Sequence, residues 1–162
     1  KTILIVEDEA PLLRILKDTL GDEGFRVFAA ADGKEGLELA ETHVPDFILL
    51  DIVMPRTNGM VMLRKLRESD WGKGIPVLIL TNLNNIPTVI NRLEFESAQE
   101  EDKAEAQKFV AANEISSEKA RNYIKQYLEG RLKKGVYDFL IKADCSLEDI
   151  VDKVKEIMSK KA

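Results

Sequence analysis

The 162-residue chain has one cysteine, one histidine and no excess of positive charge. A lone thiol, Cys145, excludes a disulfide framework and a thiolate metal cluster. With 24 basic and 29 acidic residues the net charge is −5, which favours neither a nucleic acid nor a membrane surface as a direct ligand. The longest apolar runs fall short of the ~18 residues of a membrane span, and the first residues lack the apolar core of a signal peptide. We therefore expect a cytoplasmic protein without a membrane or nucleic-acid ligand.

Short apolar runs alternate with helical patterns along the chain. A hydrophobic content of 44% is enough for a core, and the length suits a single domain over residues 1–162. The runs cover residues 3–6, 25–30, 47–50, 77–80 and 137–141. Strand followed by helix, five times over, predicts an α/β fold with a doubly wound parallel sheet. Because the runs are mostly apolar rather than alternating, we expect every strand to be buried on both faces.

The last helical pattern begins near Ser146. Ser146 is a good N-cap residue, and Glu148 and Asp149 provide the acidic first turn that the helix dipole favours. An apolar face then runs from Leu147 to Met158. The pattern predicts a C-terminal helix packed against the sheet.

Polar side chains follow the strands at their carboxyl ends, where ligands bind in such sheets. They are Glu7, Asp8, Glu9, Asp51, Thr81, Asn82 and Lys142. Clustered carboxylates repel one another and call for a cation, and a site with only oxygen ligands suits Mg²⁺. With Mg²⁺, an ammonium group and a hydroxyl around it, Asp51 is predicted to be the nucleophile that forms an aspartyl phosphate.

Four motifs carry a family resemblance: ILIVEDE at the first strand, LLDIVMPRTNG around Asp51, PVLILT at the fourth strand and YDFLIKAD at the fifth. In this order and at these strand ends they resemble the receiver domain of two-component response regulators, including the single-domain chemotaxis regulator. The resemblance covers residues 1 to about 83 and 135–162. It implies a flavodoxin-like, five-stranded sheet of order 2-1-3-4-5 and a partner that is a histidine kinase or phosphotransfer protein.

The resemblance also implies roles for single residues. Asp51 would accept the phosphoryl group, and Lys142 would pair with its oxygens. Asp8, Asp51 and the Val53 carbonyl would bind Mg²⁺, with Glu7 assisting through water. The resemblance further implies a two-state switch, in which Thr81 moves towards the phosphoryl group and Phe139 turns inward. Such a domain phosphorylates and dephosphorylates itself rather than turning over a substrate.

Two departures from the family stand out. Ala143 occupies a position usually held by a proline with a cis bond, and since a cis bond before other residues costs ~2.5–4 kcal/mol, we expect a trans bond there. Residues 84–134 are largely additional and have helical patterns, acidic in the first half and basic in the second. They predict a helical hairpin that replaces or extends the family's helix between the fourth and fifth strands, either as solvated helices or as an arm for a downstream protein or a homodimer.

Two alternative functions remain at the level of the sequence. The chain could be a pseudo-receiver, an interaction or dimerisation module that acts independently of phosphorylation. A phosphatase of the dehalogenase type also uses an aspartate at a strand end, but it needs a second aspartate where Val53 stands. Taken singly, the acids at residues 7–9 could serve only the helix dipole, and Lys142 could extend to solvent.

Overall fold

The computed structural model describes residues 1–54, 59–82 and 136–160. Its strands are β1 (Thr2–Val6), β2 (Arg26–Ala30), β3 (Phe47–Leu50), β4 (Val77–Thr81) and β5 (Val136–Ile141). Its α-helices are α1 (Ala10–Asp22), α2 (Gly33–His43), α3 (Gly59–Glu68) and α4 (Leu147–Lys160), and a 3₁₀ turn covers Lys142–Asp144. All strand pairs are parallel, in the order β2-β1-β3-β4-β5. The predicted α/β fold with a parallel sheet is confirmed.

The core has two layers because successive strand side chains point to opposite faces of the sheet. On one face Ile3 and Ile5 of β1 belong to a cluster with buried residues of α1 and α4. On the other face Leu4 and Val6 belong to a cluster with buried residues of α2 and α3. Helices therefore cover both faces, and the carboxyl edge of the sheet is held by a rigid scaffold.

Strand β2 differs from the sequence-based expectation. Only Ala30 of its five residues is buried, and Arg26 is exposed. Among the described strands, β2 lies at the end of the sheet and pairs with β1 alone. The expectation that every apolar run is buried on both faces is therefore wrong for β2, because a run of apolar residues does not reveal which strand lies at the edge.

The helical hairpin expected at residues 84–134 lies outside the described residues, as do residues 55–58 of the loop that follows Asp51. Among the helices that the structure describes, none is long and apolar enough to cross a membrane.

Candidate functional site

The hydrogen-bond ladder brings the ends of β1 and β3 together. Val6 and Leu50 are in register as the last residues of their strands. The ladder continues one step further, since the Asp51 amide donates to the Val6 carbonyl at 2.9 Å and the Glu7 amide donates to the Ala30 carbonyl at 3.0 Å. The backbone thus fixes Glu7 and Asp51 side by side at the carboxyl edge.

Lys142 supplies the positive charge of the site. It follows β5 directly, and its ammonium nitrogen lies 2.7 Å from Asp51 Oδ2 and 2.8 Å from Glu7 Oε1. A third carboxylate, Glu9 Oε1, lies 3.1 Å away. One cation therefore contacts three carboxylates that come from two different parts of the chain.

Three side chains of the site, Glu7, Asp51 and Lys142, are almost closed to water. The exposed fraction is 3% for Asp51 and 1% for Glu7, and it is 10% for the Lys142 side chain. Burial raises the pKa of the Glu7 carboxyl to about 7, although the Lys142 hydrogen bond opposes the shift. Burial likewise raises the pKa of Asp51 above its ordinary value, again against Lys142. Burial by itself lowers the pKa of Lys142, but its hydrogen bonds to Asp51 and Glu7 outweigh that effect and raise it.

Three carboxylates have the arrangement of a metal site. One oxygen each of Glu7, Asp8 and Asp51 lies within 4.8 Å of the others. Glu7 Oε2 is buried, lies 2.8 Å from the Lys142 nitrogen, and accepts no properly aligned hydrogen bond from the described residues. An all-oxygen set with a buried, under-coordinated oxygen suits a hard cation such as Mg²⁺. The donor set therefore fits the predicted cofactor.

Val53 and Gly59 both contact Asp51 and fix its position. The Val53 amide donates to Asp51 Oδ1 at 2.8 Å, so Val53 fixes the carboxylate through its backbone. Gly59, at the start of α3, lies so close that an added Cβ would collide with the Asp51 carbonyl oxygen and lie 2.8 Å from Ile52 Cα. Only glycine fits this contact.

Thr81 and Phe139 are described by their backbone. Thr81 is the last residue of β4 and is in register with Ile141, which directly precedes Lys142. Phe139 is in register with Ile79, two residues before Thr81 on β4. The positions agree with the assignment from the motifs, and the roles of the two side chains stay predictions.

Ala143 lies in the 3₁₀ turn that follows β5. Among the described residues no peptide bond is cis, so the expected trans bond before Ala143 is confirmed. Lys142 still reaches Asp51, and the alanine is therefore compatible with the ion pair.

Glu9 is the contact that the sequence-based assignment missed. It belonged to the acidic cluster after β1 but received no role of its own. Glu9 is extended, with φ −76° and ψ 97°, and it lies two residues after Glu7. Side chains two residues apart on an extended backbone point to the same side. The spacing of Glu7 and Glu9 in the sequence therefore indicates that both carboxylates face Lys142.

Comparison with known proteins identifies the class. The family profile "Response regulator receiver domain" matches residues 3–111, which is more than half of the chain. The chain belongs to the response regulator receiver family, so the family resemblance is confirmed, and the matched range contains the first three of the four motifs.

Curated relatives and solved structures agree with this class. The chain is 39% identical over 95 residues to "Probable transcriptional regulator ycf27" of Cyanophora paradoxa, covering 58% of this chain and 38% of that protein. It is 38% identical over 81 residues to the alkaline phosphatase synthesis transcriptional regulatory protein PhoP of Bacillus subtilis, covering 50% of this chain and 33% of that protein. The chain thus spans well under half the length of these relatives.

Two solved structures share the fold. A CheY-like response regulator receiver domain protein from Methanospirillum hungatei has a TM-score of 0.64 at 22% identity, over 99% of this chain and 94% of that one. Chemotaxis protein CheY4 of Vibrio cholerae has a TM-score of 0.64 at 24% identity, over 96% of this chain and 97% of that one.

Proposed function

We propose that this receiver domain accepts a phosphoryl group on Asp51 from the phosphohistidine of a histidine kinase or phosphotransfer protein. The observation that carries the proposal is the buried Asp51 carboxylate, 2.7 Å from the Lys142 ammonium and clustered with Glu7 and Asp8. In the reaction the P–N bond of the donor breaks, a carboxylate oxygen of Asp51 forms the new P–O bond, and the imidazole leaves.

The residues around Asp51 have different roles in the transfer. Lys142 neutralises charge on the transferred phosphoryl oxygens and, because it is buried, does so in a poorly screened environment. Asp8, Asp51 and the Val53 carbonyl would hold Mg²⁺, and Glu7 would assist through water. When bound, Mg²⁺ supplies further positive charge to the phosphoryl oxygens. The Val53 amide keeps Asp51 oriented for attack.

The phosphoryl group then biases a switch. Thr81 ends the strand next to β5, and its hydroxyl donates to a phosphoryl oxygen, while Phe139 follows Thr81 inward. New charge-assisted hydrogen bonds from Lys142 and Thr81 favour the inward packing. Output passes to a downstream protein or a second copy of the chain, with residues 84–134 as the predicted contact.

The test is the intact mass of the protein after incubation with acetyl phosphate and Mg²⁺. The wild type is expected to gain one phosphoryl group, whereas Asp51→Asn or removal of the metal prevents the gain. The mass in solution, measured before and after, reports any change of oligomeric state. If the folded wild type gains no phosphoryl group, the chain acts as a pseudo-receiver, and its function is independent of Asp51 chemistry.

A further inference from the structure

Glu9 contacts Lys142, although the transfer of a phosphoryl group to Asp51 does not require this contact. Its carboxylate lies 3.1 Å from the Lys142 ammonium nitrogen, its backbone amide donates to Glu7 Oε1 at 3.1 Å, and its carbonyl accepts the Leu13 amide of α1 at 2.9 Å. The backbone bonds fix Glu9 at the entry to α1, so the side chain reaches Lys142 from a rigid base.

The three contacts use the full capacity of Lys142. An ammonium group has three N–H donors, and three carboxylates lie within hydrogen-bond distance of the nitrogen. A phosphoryl oxygen can therefore bond to Lys142 only by replacing one carboxylate.

Glu9 is the carboxylate that can leave at least cost. Its contact is the longest of the three, and 57% of its side chain is exposed, against 1% for Glu7 and 2% for Asp51. Before the transfer, while Asp51 is still a carboxylate, water can solvate a released Glu9, whereas Glu7 and Asp51 are buried and would each lose their ion pair with Lys142.

We propose, resting on the function above, that Glu9 is a positioning residue that occupies the third donor of Lys142 until a phosphoryl oxygen displaces it. The released carboxylate stays beside the phosphoryl group and competes with it for Lys142. Glu9 therefore sets how readily the site takes up and retains a phosphoryl group. The acceptor chemistry itself is unchanged. With acetyl phosphate as the donor, the P–O bond of acetyl phosphate breaks, a new P–O bond to Asp51 forms, and acetate leaves.

The experiment compares Glu9→Gln, which keeps the shape and removes the charge, with Glu9→Asp, which keeps the charge, and with Glu41→Gln. Glu41 is exposed near the end of α2, at the opposite edge of the sheet, so its substitution changes the net charge equally without touching Lys142. Two quantities are measured in the presence of Mg²⁺: the affinity for beryllofluoride, a tetrahedral phosphoryl mimic, and the rate of adduct formation with acetyl phosphate. Urea unfolding confirms that each variant is folded.

Glu9→Gln is expected to bind beryllofluoride roughly two- to fivefold more tightly, the range of a partly exposed ion pair. It should lower KM for acetyl phosphate by a similar factor with little change in the maximal rate. Glu9→Asp and Glu41→Gln should stay close to the wild type.

Equal affinities in Glu9→Gln and the wild type overturn the inference, and so does an equal gain in Glu41→Gln, which would make the effect one of net charge. A wild type that neither binds beryllofluoride nor forms an adduct overturns the proposed function, and the role of Glu9 falls with it. The two failures are distinguished by the behaviour of the wild type.

Discussion

Lys142 shows how a single residue organises a site built from distant parts of the sequence. It is separated from Glu7 by 135 positions and from Asp51 by 91, yet it lies within 2.8 Å of both. The attraction works because the partners are buried, where charges are less screened than in water. Removing the lysine would leave two buried carboxylates without a counter-ion. This loss destabilises a fold more than replacing the whole buried cluster by apolar residues would.

Gly59 is the second residue on which the site depends, and its role is steric because only glycine leaves room for the backbone of Asp51 and Ile52. We expect Gly59→Ala to lower the free energy of unfolding by about 1–3 kcal/mol, since its Cβ forces apart the start of α3 and the backbone of Asp51 and Ile52. Displacement of Asp51 should also slow adduct formation with acetyl phosphate. Urea unfolding and intact mass measure the two effects.

Gly21→Ala is the matched control for this substitution. Within the described part of the chain, no atom lies within 4 Å of a Cβ built at Gly21. The residue lies within α1, where alanine is the better helix former by up to ~1 kcal/mol. Its stability should stay level or rise. A Gly59→Ala protein as stable and as reactive as Gly21→Ala would contradict the steric argument.

At the scale of the element, α4 begins with a reciprocal cap. The Ser146 amide and hydroxyl both donate to Asp149 Oδ2 at 2.7 Å, and the Asp149 amide donates back to Ser146 Oγ at 3.1 Å. These bonds satisfy donors that a helix N-terminus leaves without partners. They fix the start of the helix directly after the turn that carries Lys142.

The cap predicts a pH dependence with a defined sign. Hydrogen bonds from the Ser146 hydroxyl and amide lower the pKa of Asp149 below its ordinary value of 3.8. A carboxyl group whose folded pKa is lowered stabilises the fold above its unfolded pKa and loses that contribution as the pH falls through the folded value. Asp149→Asn should therefore unfold at lower urea concentration than the wild type at neutral pH, and the difference should shrink as the pH falls below 3.8.

Asp152→Asn serves as the control, because Asp152 is exposed on the same helix, three residues after Asp149. Its urea midpoint should stay near that of the wild type at both pH values. A constant difference between Asp149→Asn and the wild type across this range would exclude the ionised cap as its origin.

Elements differ in how far the sequence predicts them. The start of α4 and the span of β3 follow from local signals, a capping serine in one case and a bounded apolar run in the other. The exposure of β2 depends on its neighbours in the sheet, which a single run does not encode. The Glu9 contact depends on the approach of Lys142 from the far end of the chain, so the sequence places Glu9 in the cluster without assigning it a partner. The roles of Thr81, Phe139 and residues 84–134 stay predictions from the motifs.

At the scale of the whole molecule, the hydrophobic core and the charged acceptor site lie in different places. Two apolar layers cover the faces of the sheet, and the charged cluster lies at its carboxyl edge. Burial raises the pKa of both Glu7 and Asp51, which means that their ionised forms are less favourable in the folded chain than in water. Burial of these two carboxylates therefore has a cost in stability at neutral pH, which the ion pairs with Lys142 reduce and the two core layers offset.

This segregation predicts opposite effects of Asp51→Asn with and without metal. Without metal, the amide removes a buried charge and keeps one acceptor oxygen for Lys142 or the Val53 amide, so we expect the free energy of unfolding to rise. With Mg²⁺, the wild type should be stabilised in proportion to the logarithm of the metal concentration above its dissociation constant. The variant lacks one ligand and should gain less, so the two stability curves should cross as Mg²⁺ is added.

Urea unfolding across a Mg²⁺ titration measures both curves, with Asp46→Asn as the control. Asp46 precedes β3 at the opposite edge of the sheet, where its carboxylate accepts the Thr2 amide at 2.7 Å, so that variant should lose stability yet keep the full Mg²⁺ response. Parallel curves for Asp51→Asn and the wild type would show that Asp51 is not a ligand. A variant less stable than the wild type without metal would show that the Lys142 ion pair outweighs the burial of Asp51, and the cost of the site would then have to lie with Glu7.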